Sequence, residues 1–449
     1  MVTYGRSIEA VYLHSAFRSG STWFWNRFRV EPGVMAFYEP FNEKLSSLTG
    51  WTIAIDTPGR WNSRHPVLAA PYNAEYKPLL RPGGGVRLFE DRFSYAGYFD
   101  TGADEPLARY LDGLAGHARQ CGALPVFGFC RSQARVPWFQ RHCPGLQVAT
   151  VRNPWDQWAS YHLMTLETGS AYFEFRAFLA ATIGRGHRDV SRYFADLHLP
   201  PLGDGAGESD EACLEAFFVA ADTALRFRIF LRVYILDSLR ALSHADLIVD
   251  LDKMSGDAAY RARTTSDLRA RTGIPALSFD DCALPRHQPL SDADYKGGLE
   301  EALHVLDRLT DVSSSAAEPQ AAAARETVRA LLLSALARVT GDSRASDQAD
   351  GNGAPGDMTA MPVIDRFTLC HMLYAVRRMG RRNGDPDVAL DYLRLVYGGD
   401  FERCQQDLID MADMLRWWNS PDHALECECA RILSPVLAGL QGSTPAQLS

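Results

Sequence analysis

Short apolar runs alternate with longer helical patterns over about the first 310 residues, and this alternation constrains the fold more than any other feature of the chain. The apolar runs are EAVYLHSAF (9–17), LPVFGFC (124–130), LQVATVRN (146–153) and ADLIVDLD (245–252). Strands that alternate with helices form parallel sheets, because a crossover between parallel strands needs a connection long enough for a helix. We therefore predict an α/β fold built around a parallel sheet.

Helical patterns follow or precede the predicted strands. TWFWNRF (22–28) begins a helix directly after the first strand, and PWDQWASYHLMTL (154–166) follows the third. Pro154 suits the first turn of its helix, because the first helical nitrogens have no intrahelical partner. A long helical region, residues 211–242, is rich in core-type residues and precedes the strand at 245–252.

The composition changes from Ser313 onwards, which divides the chain. An amphipathic helix is predicted at about 318–339, and the segment at 340–357 is polar and rich in Gly, Ser and Asp, which is typical of a flexible linker. A chain of 449 residues is too long for one ordinary core. We predict an α/β domain at 1–312, a helix and linker at 313–360, and a small α-helical domain at 361–449.

The predicted C-terminal domain contains a weak internal repeat. DPDVALDYLRLVY begins at Asp385 and SPDHALECECARIL begins at Ser420, so the shared P-D-x-A-L motif recurs after 35 residues. Helix–turn–helix units at this period resemble tetratricopeptide-type repeats, whose period is about 34 residues. That resemblance implies a surface for a protein partner. The alternative is an ordinary helical appendage.

Charge and cysteine content restrict the partners and the compartment. The net charge of −9 argues against nucleic-acid binding, which relies on basic surface, although one pocket can still be locally positive. Nine cysteines without a C-x-x-C pair are typical of reduced thiols, so we expect a cytoplasmic protein. Neither a signal peptide nor a run of about 18 apolar residues is visible, and we expect no membrane association.

The loop after the first strand has the composition of an anion site. In FRSGSTW (17–23), Gly20 lets the backbone approach a ligand, and Arg18 offers a planar, permanently charged fork for phosphate oxygens. Hydroxyl donors come from Ser19, Ser21 and Thr22. Unlike the usual triphosphate loop, this one has no lysine after the glycine. An ordinary helix cap is the alternative interpretation.

A second candidate phosphate site lies in VATVRNPWDQWASYH (148–162). Arg152 ends a predicted strand and Ser160 lies about two turns into the next helix. The two side chains can converge on one phosphate if the helix packs back over the strand end. Alternatively, Arg152 only covers the sheet edge and Ser160 is a tolerated polar residue of the helix.

The two motifs together, R-S-G-S-T-W and R-N-P-x-x-x-x-x-S-x-Y, resemble those of sulfotransferases that use 3′-phosphoadenosine 5′-phosphosulfate (PAPS). The resemblance covers about residues 8–310 and implies a P-loop-type three-layer sandwich. It also implies that the loop from Arg18 to Thr22 holds the 5′-phosphosulfate and that Trp23 lies against the adenine. Arg152 and Ser160 would hold the 3′-phosphate.

The loop arginine and the stretch Phe37-Tyr38-Glu39-Pro40 are similar to the carbohydrate-type branch of that family. The histidine base of the small-phenol branch has no counterpart in VFGFCRSQARVPW (126–138). Glu39 is the predicted base, because a partly desolvated carboxylate can take the proton of an attacking hydroxyl. We expect Pro40 to hold Glu39 in an extended conformation. The alternatives are a solvated loop carboxylate at Glu39, or Glu43 as the base.

The predicted reaction is an in-line transfer of the sulfuryl group from PAPS to a hydroxyl of a sugar-containing or other small molecule. Arg18 and the loop amides would stabilise the leaving phosphate, and the chemistry requires no metal. Two other interpretations are a P-loop nucleotide kinase or other phosphotransferase, and a non-catalytic PAP(S)-binding protein with a partner-recruiting helical domain. Secondary candidates for contact with the acceptor or the sulfate are Arg131 and the segment Glu90–Arg92; solvated charges are the alternative for that segment.

Overall fold

A computed structural model of the protein describes residues 8–54, 68–168, 171–188, 190–199, 217–309 and 318–341. The predicted linker at 340–357, apart from its first two residues, lies outside these ranges, as does the predicted helical domain at 361–449 with its repeat. The first part of the predicted helical region, residues 211–216, lies outside them as well.

Five parallel strands form one sheet in the order β2-β3-β1-β4-β5. They are β1 (Val11–His14), β2 (Val34–Tyr38), β3 (Leu124–Phe129), β4 (Leu146–Val151) and β5 (Leu247–Asp250). Val11 of the central strand pairs with Val126 on one side and Leu146 on the other. The predicted α/β fold with a parallel sheet is confirmed.

Helices connect and cover these strands. They are α1 (Ser21–Arg29), α2 (Gly50–Ala54), α3 (Glu105–Gln120), α4 (Val136–His142), α5 (Pro154–Thr168), α6 (Tyr172–Gly186), α7 (Thr223–His244), α8 (Leu251–Gly256), α9 (Ala258–Thr272), α10 (Tyr295–Arg308) and α11 (Glu318–Thr340). Within the described ranges, no helix has both the length and the apolarity that a membrane span requires.

The predicted helical region at 211–242 is interrupted. Asp222 lies before the first turn of α7, and its Oδ1 accepts a hydrogen bond of 2.7 Å from the Leu225 nitrogen. This side chain satisfies a backbone donor that has no partner within the helix, so a new helix starts there. The C-terminal part of the prediction, up to residue 242, is confirmed by α7.

Both faces of the sheet are buried, and neighbouring residues of each strand point to opposite faces. Val11 and Leu13 pack in a core with α1 and α9, whereas Tyr12 packs with Phe127 in a second core under α3 and α4. At Gly128 of β3, an added Cβ would lie 2.6 Å from the Trp25 ring of α1. Only glycine therefore allows α1 to approach the sheet this closely.

The predicted helix at 318–339 is confirmed as α11, which packs against α5, α7 and α10. Val328, Leu332 and Ala335 are fully buried in the same core as residues of α7. Asn153 Nδ2, at the start of α5, donates a hydrogen bond of 3.1 Å to Ser334 Oγ. This helix therefore shares a core with the α/β domain.

The strand order reverses between β1 and β4, whose carboxyl ends lie side by side. The chain leaves β1 toward β2 at one edge of the sheet and leaves β4 toward β5 at the other edge. Parallel sheets bind ligands beside the carboxyl ends of the strands at such a switch point. The loops that follow β1 and β4 are the two motifs singled out above, at residues 15–20 and 152–153.

Candidate functional site

The loop after β1 ends in a helix N-terminus that no side chain caps within the described residues. Gly20, the residue before α1, has a left-handed conformation with φ of 95°. Ser21 begins α1, close to the predicted start at residue 22. The first N–H groups of a helix lack intrahelical acceptors, so they can donate to an anion.

Arg18 joins the two motifs. Its Nε donates a hydrogen bond of 3.0 Å to Ser160 Oγ, and its backbone carbonyl accepts one of 2.7 Å from Arg152 Nη1. Its guanidinium also lies over the Phe173 ring, 5.4 Å from the centroid. The two motifs, separated by more than 130 residues in sequence, are therefore in direct contact.

Arg152 is a buried cation whose hydrogen-bond acceptors are carbonyls. Its relative exposure is 3%, and its Nη2 donates to the Pro285 carbonyl. Its Nε is buried without a partner among the described residues, and no carboxylate there forms an ion pair with it. Burial lowers the pKa of Arg152, an effect that nearby Asp252 opposes. An anion placed beside this guanidinium would recover a charge interaction that the carbonyls do not provide.

The other loop residues have protein partners. Ser19 Oγ donates to the Ala16 carbonyl over 2.7 Å, Ser21 Oγ lies 3.0 Å from Cys130 Sγ, and Thr22 Oγ1 lies 2.8 Å from the Tyr38 hydroxyl. The Trp23 ring packs near Phe279, with 5.8 Å between centroids, and its Nε1 is buried without a partner in the described part of the chain.

Glu39 occupies a sharp turn at the end of β2. Its nitrogen donates to the Gly128 carbonyl over 2.7 Å, and its carbonyl accepts from the Asn42 nitrogen over 2.8 Å. Its φ is 48°, so the expected extended conformation is wrong. The turn that reverses the chain between Glu39 and Asn42 overrides the local preference that Pro40 imposes.

The carboxylate of Glu39 is desolvated, with a relative exposure of 3% for the residue, so the alternative of a solvated loop carboxylate is wrong. Its Oε1 has no hydrogen-bond partner among the described residues. Burial raises the pKa of Glu39, whereas Arg131 and the Cys130 thiol partly oppose that rise. The Cys130 thiol interacts with both Glu39 and Ser21, the first residue of α1. The Glu39 carboxylate therefore lies close to the N-terminus of α1.

Glu43 is held by cations. Its carboxylate forms ion pairs with Arg131, at 2.7 Å, and with Arg176. Tyr172 also donates to it over 3.3 Å. Arg131, a secondary candidate, is therefore buried in an ion pair, and its guanidinium lies over the rings of Phe17 and Tyr95.

The remaining sequence candidates, in the segment Glu90–Arg92, have partners of their own. Arg92 forms ion pairs with Glu90 at 2.6 Å and Asp104 at 2.7 Å, and the side chains of Arg92 and Glu90 are 42% and 48% exposed. Arg176 and the Pro285 carbonyl contribute to the site, although neither was predicted. Nothing in the local sequence distinguishes Arg176 from other polar residues of α6, and a backbone carbonyl has no sequence signal.

Comparisons with models of protein families, with curated proteins and with solved structures found no match to this chain.

Proposed function

We propose that the protein is a PAPS-dependent sulfotransferase whose α/β domain is of the P-loop type. The observation that carries this proposal is the contact between the two motifs, through Arg18, Ser160 and Arg152. The donor carries phosphate at both the 3′ and the 5′ position, so its site needs two anion-binding groups close together. A helix N-terminus and a buried arginine beside it supply these groups.

In this proposal the 3′-phosphate binds between Arg152 and Ser160. Ser160 Oγ accepts from Arg18 Nε, so the proton of its own hydroxyl can be donated to a phosphate oxygen. The 5′-phosphosulfate binds at the N-terminus of α1, where the loop from Arg18 to Thr22 provides backbone donors. Trp23 is the proposed neighbour of the adenine.

Glu39 is the proposed general base. The acceptor oxygen forms a bond to sulfur, the bond between sulfur and the bridging phosphate oxygen breaks, and PAP leaves with that electron pair. The acceptor proton passes to Glu39, whose burial raises its pKa and so makes it a better proton acceptor than an ordinary carboxylate. Arg18 and the first-turn amides stabilise the charge on the leaving phosphate.

Glu39 suits this role better than Glu43. Two guanidinium groups and the Tyr172 hydroxyl contact the Glu43 carboxylate, whereas Oε1 of Glu39 has no hydrogen-bond partner among the described residues. Arg131, Arg176 and Glu43 instead form a cluster of ion pairs, and Arg131 in that cluster interacts with Glu39. For the acceptor we propose a hydroxyl on a sugar-containing or other small molecule, because the loop arginine and FYEP resemble those of the carbohydrate-type enzymes.

A nucleotide kinase is the second candidate, and Asp250 at the end of β5 is the observation that bears on it. One oxygen of this carboxylate accepts a hydrogen bond of 3.0 Å from the Lys253 nitrogen, and the other lies 3.3 Å from Lys253 Nζ. The strand-end aspartate is thus engaged as a helix cap, which disfavours a role as a Mg²⁺ ligand.

Thermal-shift measurements with PAP, ADP and ATP–Mg²⁺ separate these functions. We expect PAP to raise the melting temperature most, because only PAP places a phosphate at Arg152. A larger shift with ATP–Mg²⁺ would overturn the proposal. The third candidate is a PAP(S)-binding protein that recruits a partner through its C-terminal helices. Transfer of radiolabelled sulfate from PAPS to a panel of hydroxyl acceptors distinguishes an enzyme, which transfers the label, from this binding protein, which does not.

A further inference from the structure

A groove of about 840 Å³ lies between α3, α4 and α7, and the segment 96–104 and residues after α6 complete its lining. Its lining includes Arg92 but none of the loop before α1, Glu39, Arg152 or Ser160. Its volume is in the range of pockets that bind small organic molecules, roughly 300–1,000 Å³. Charged and aromatic residues line it, including Arg135, Trp138 and Arg141 of the α4 region and Arg240 and His244 of α7.

Arg135 brings to the groove a buried charge that aromatic rings and carbonyls surround. The residue is 1% exposed, and its Nη1 and Nη2 donate to the carbonyls of Phe93 and Ala96 over 2.7 and 3.0 Å. Its Nε is buried without a partner, and no carboxylate pairs with it in the described part of the chain. Burial lowers the pKa of Arg135 to about 10. The fold therefore holds a buried cation that an anion would stabilise.

Other cations surround the same space. Arg240 donates from Nε to the Ala134 carbonyl over 2.7 Å and from Nη2 to the Phe99 carbonyl over 2.8 Å. The pKa of His244 is lowered by burial, and the charges of Arg240 and Arg141 lower it further. Arg240 and Arg141 therefore add two guanidinium charges at this end of the groove.

The lining also contains three carboxylates, those of Asp100, Asp104 and Glu105. Asp100 lies 2.8 Å from His187 Nε2, and Asp104 pairs with Arg92 at 2.7 Å and also caps α3 through the Leu107 nitrogen. Asp100 and Asp104 are thus engaged with partners of their own, whereas Glu105 is solvent-exposed in the first turn of α3. Arg141, at the exposed rim, forms no ion pair within the described ranges.

We propose that this groove is a second ligand site, which binds a small organic molecule carrying a phosphate or sulfate group. Arg135, Arg141 and Arg240 bind the anionic group, because guanidinium forks match tetrahedral oxyanions. Trp138, whose Nε1 is buried without a partner among the described residues, lines the groove and packs against the organic part.

Calorimetric titration tests this site with glucose 6-phosphate, 4-nitrophenyl sulfate, inorganic phosphate and inorganic sulfate as probes. We expect at least one organic ester to bind more tightly than both inorganic anions. Arg141→Glu should weaken that binding about tenfold or more, because it reverses a charge at the rim. Arg141 is exposed, so this variant should fold, and Arg263→Glu on the exposed surface of α9 is the matched control.

Three outcomes overturn the proposal. One is the absence of binding by either organic ester at millimolar concentration. Another is binding of the inorganic anions as tight as that of the esters. The third is binding that Arg18→Ala abolishes and Arg141→Glu leaves unchanged, since the anion would then occupy the loop before α1 instead of the groove.

Discussion

Arg152 Nη1 donates a hydrogen bond of 2.7 Å to the backbone carbonyl of Arg18, so the end of β4 fixes the path of the loop after β1. Arg18 has a φ of 55°, a left-handed conformation that costs a non-glycine residue about 1–2 kcal/mol. Such conformations persist where the surrounding structure enforces them, and they cluster at functional sites. Glu39 is another of these residues. Two predicted catalytic residues thus share this conformation.

Arg152→Ala should reduce the affinity for PAP about ten- to a hundredfold, the loss expected for a hydrogen bond to a charged group. The affinity for adenosine 5′-monophosphate should change little, because this nucleotide lacks the 3′-phosphate. Calorimetric dissociation constants for both nucleotides provide the measurement. Ser160→Ala is a milder second variant with the same selectivity. Equal losses for the two nucleotides would show that the substitution only disturbs the loop at Arg18.

Glu39→Gln should lower kcat about 10²–10⁴-fold without weakening PAP binding, because it removes the proton acceptor and keeps the shape of the side chain. Transfer from radiolabelled PAPS and the dissociation constant for PAP measure the two effects. Glu300→Gln, on the exposed surface of α10, is the matched control. Ordinary turnover by Glu39→Gln would contradict the assignment of the base.

The activity should rise with pH through the pKa of Glu39, because the base acts only when it is ionised. Burial raises that pKa, so the acid limb of kcat/KM should lie above the ordinary glutamate value of about 4.3. The residual activity of Glu39→Gln should lack this limb. An identical acid limb in both proteins would assign it to another group.

Local patterns predicted the parts of the site that depend on local structure. Two segments were predictable: the strand, loop and helix at residues 9–28, and the strand and helix at 146–166. The hydrophobic periods and turn residues that indicate these elements occur in continuous stretches of sequence. Glu39 was identified from its motif, but its conformation was not. The turn at Glu39 depends on a hydrogen bond to Gly128, almost 90 residues away.

Contacts between distant segments account for what the sequence did not predict. Strand β2 was not predicted, and its pairing with β3 joins segments about 90 residues apart. The ion pair between Arg176 and Glu43 joins α6 to the segment after β2. Such pairs depend on the tertiary fold, and neither partner carries a local signal. Only the two motifs, read together, indicated which loops would meet.

His162→Gln should destabilise the protein at acidic pH more than at alkaline pH. Burial alone would lower the pKa of His162, but its hydrogen bonds to the Glu174 and Asp292 carboxylates, at 3.0 and 2.7 Å, outweigh burial and raise it. Arg226 also faces Glu174, at 3.3 Å, and Tyr295 donates to Asp292. A histidine whose pKa is raised by folding contributes stability that is fully present below its pKa in the unfolded chain, about 6.5. That stability is lost as the pH rises through the pKa of the histidine in the folded protein.

Urea unfolding of the His162→Gln variant and the parent protein, at pH values below and above the pKa of His162, measures the difference in the free energy of unfolding. His304→Gln, at an exposed position of α10, controls for the loss of an ordinary histidine. If the variant's loss in free energy of unfolding stays constant or grows with pH, His162 does not stabilise the fold through its positive charge.

Gly128→Ala should destabilise the protein by about 1–3 kcal/mol, the usual cost of overpacking a tight core. The added Cβ would lie 2.6 Å from the ring of Trp25, a residue of α1 that packs on β3 at this glycine. Because α1 begins at the anion loop, its displacement should also weaken PAP binding.

Gly116→Ala is the matched control, since the nearest atom to its Cβ is the end of the Arg119 side chain at 4.0 Å. In helix α3 that substitution should stabilise by about 0.5–1 kcal/mol. Chemical denaturation measures both variants, and a Gly128→Ala protein as stable as its parent would mean that α1 can shift away from the sheet without cost.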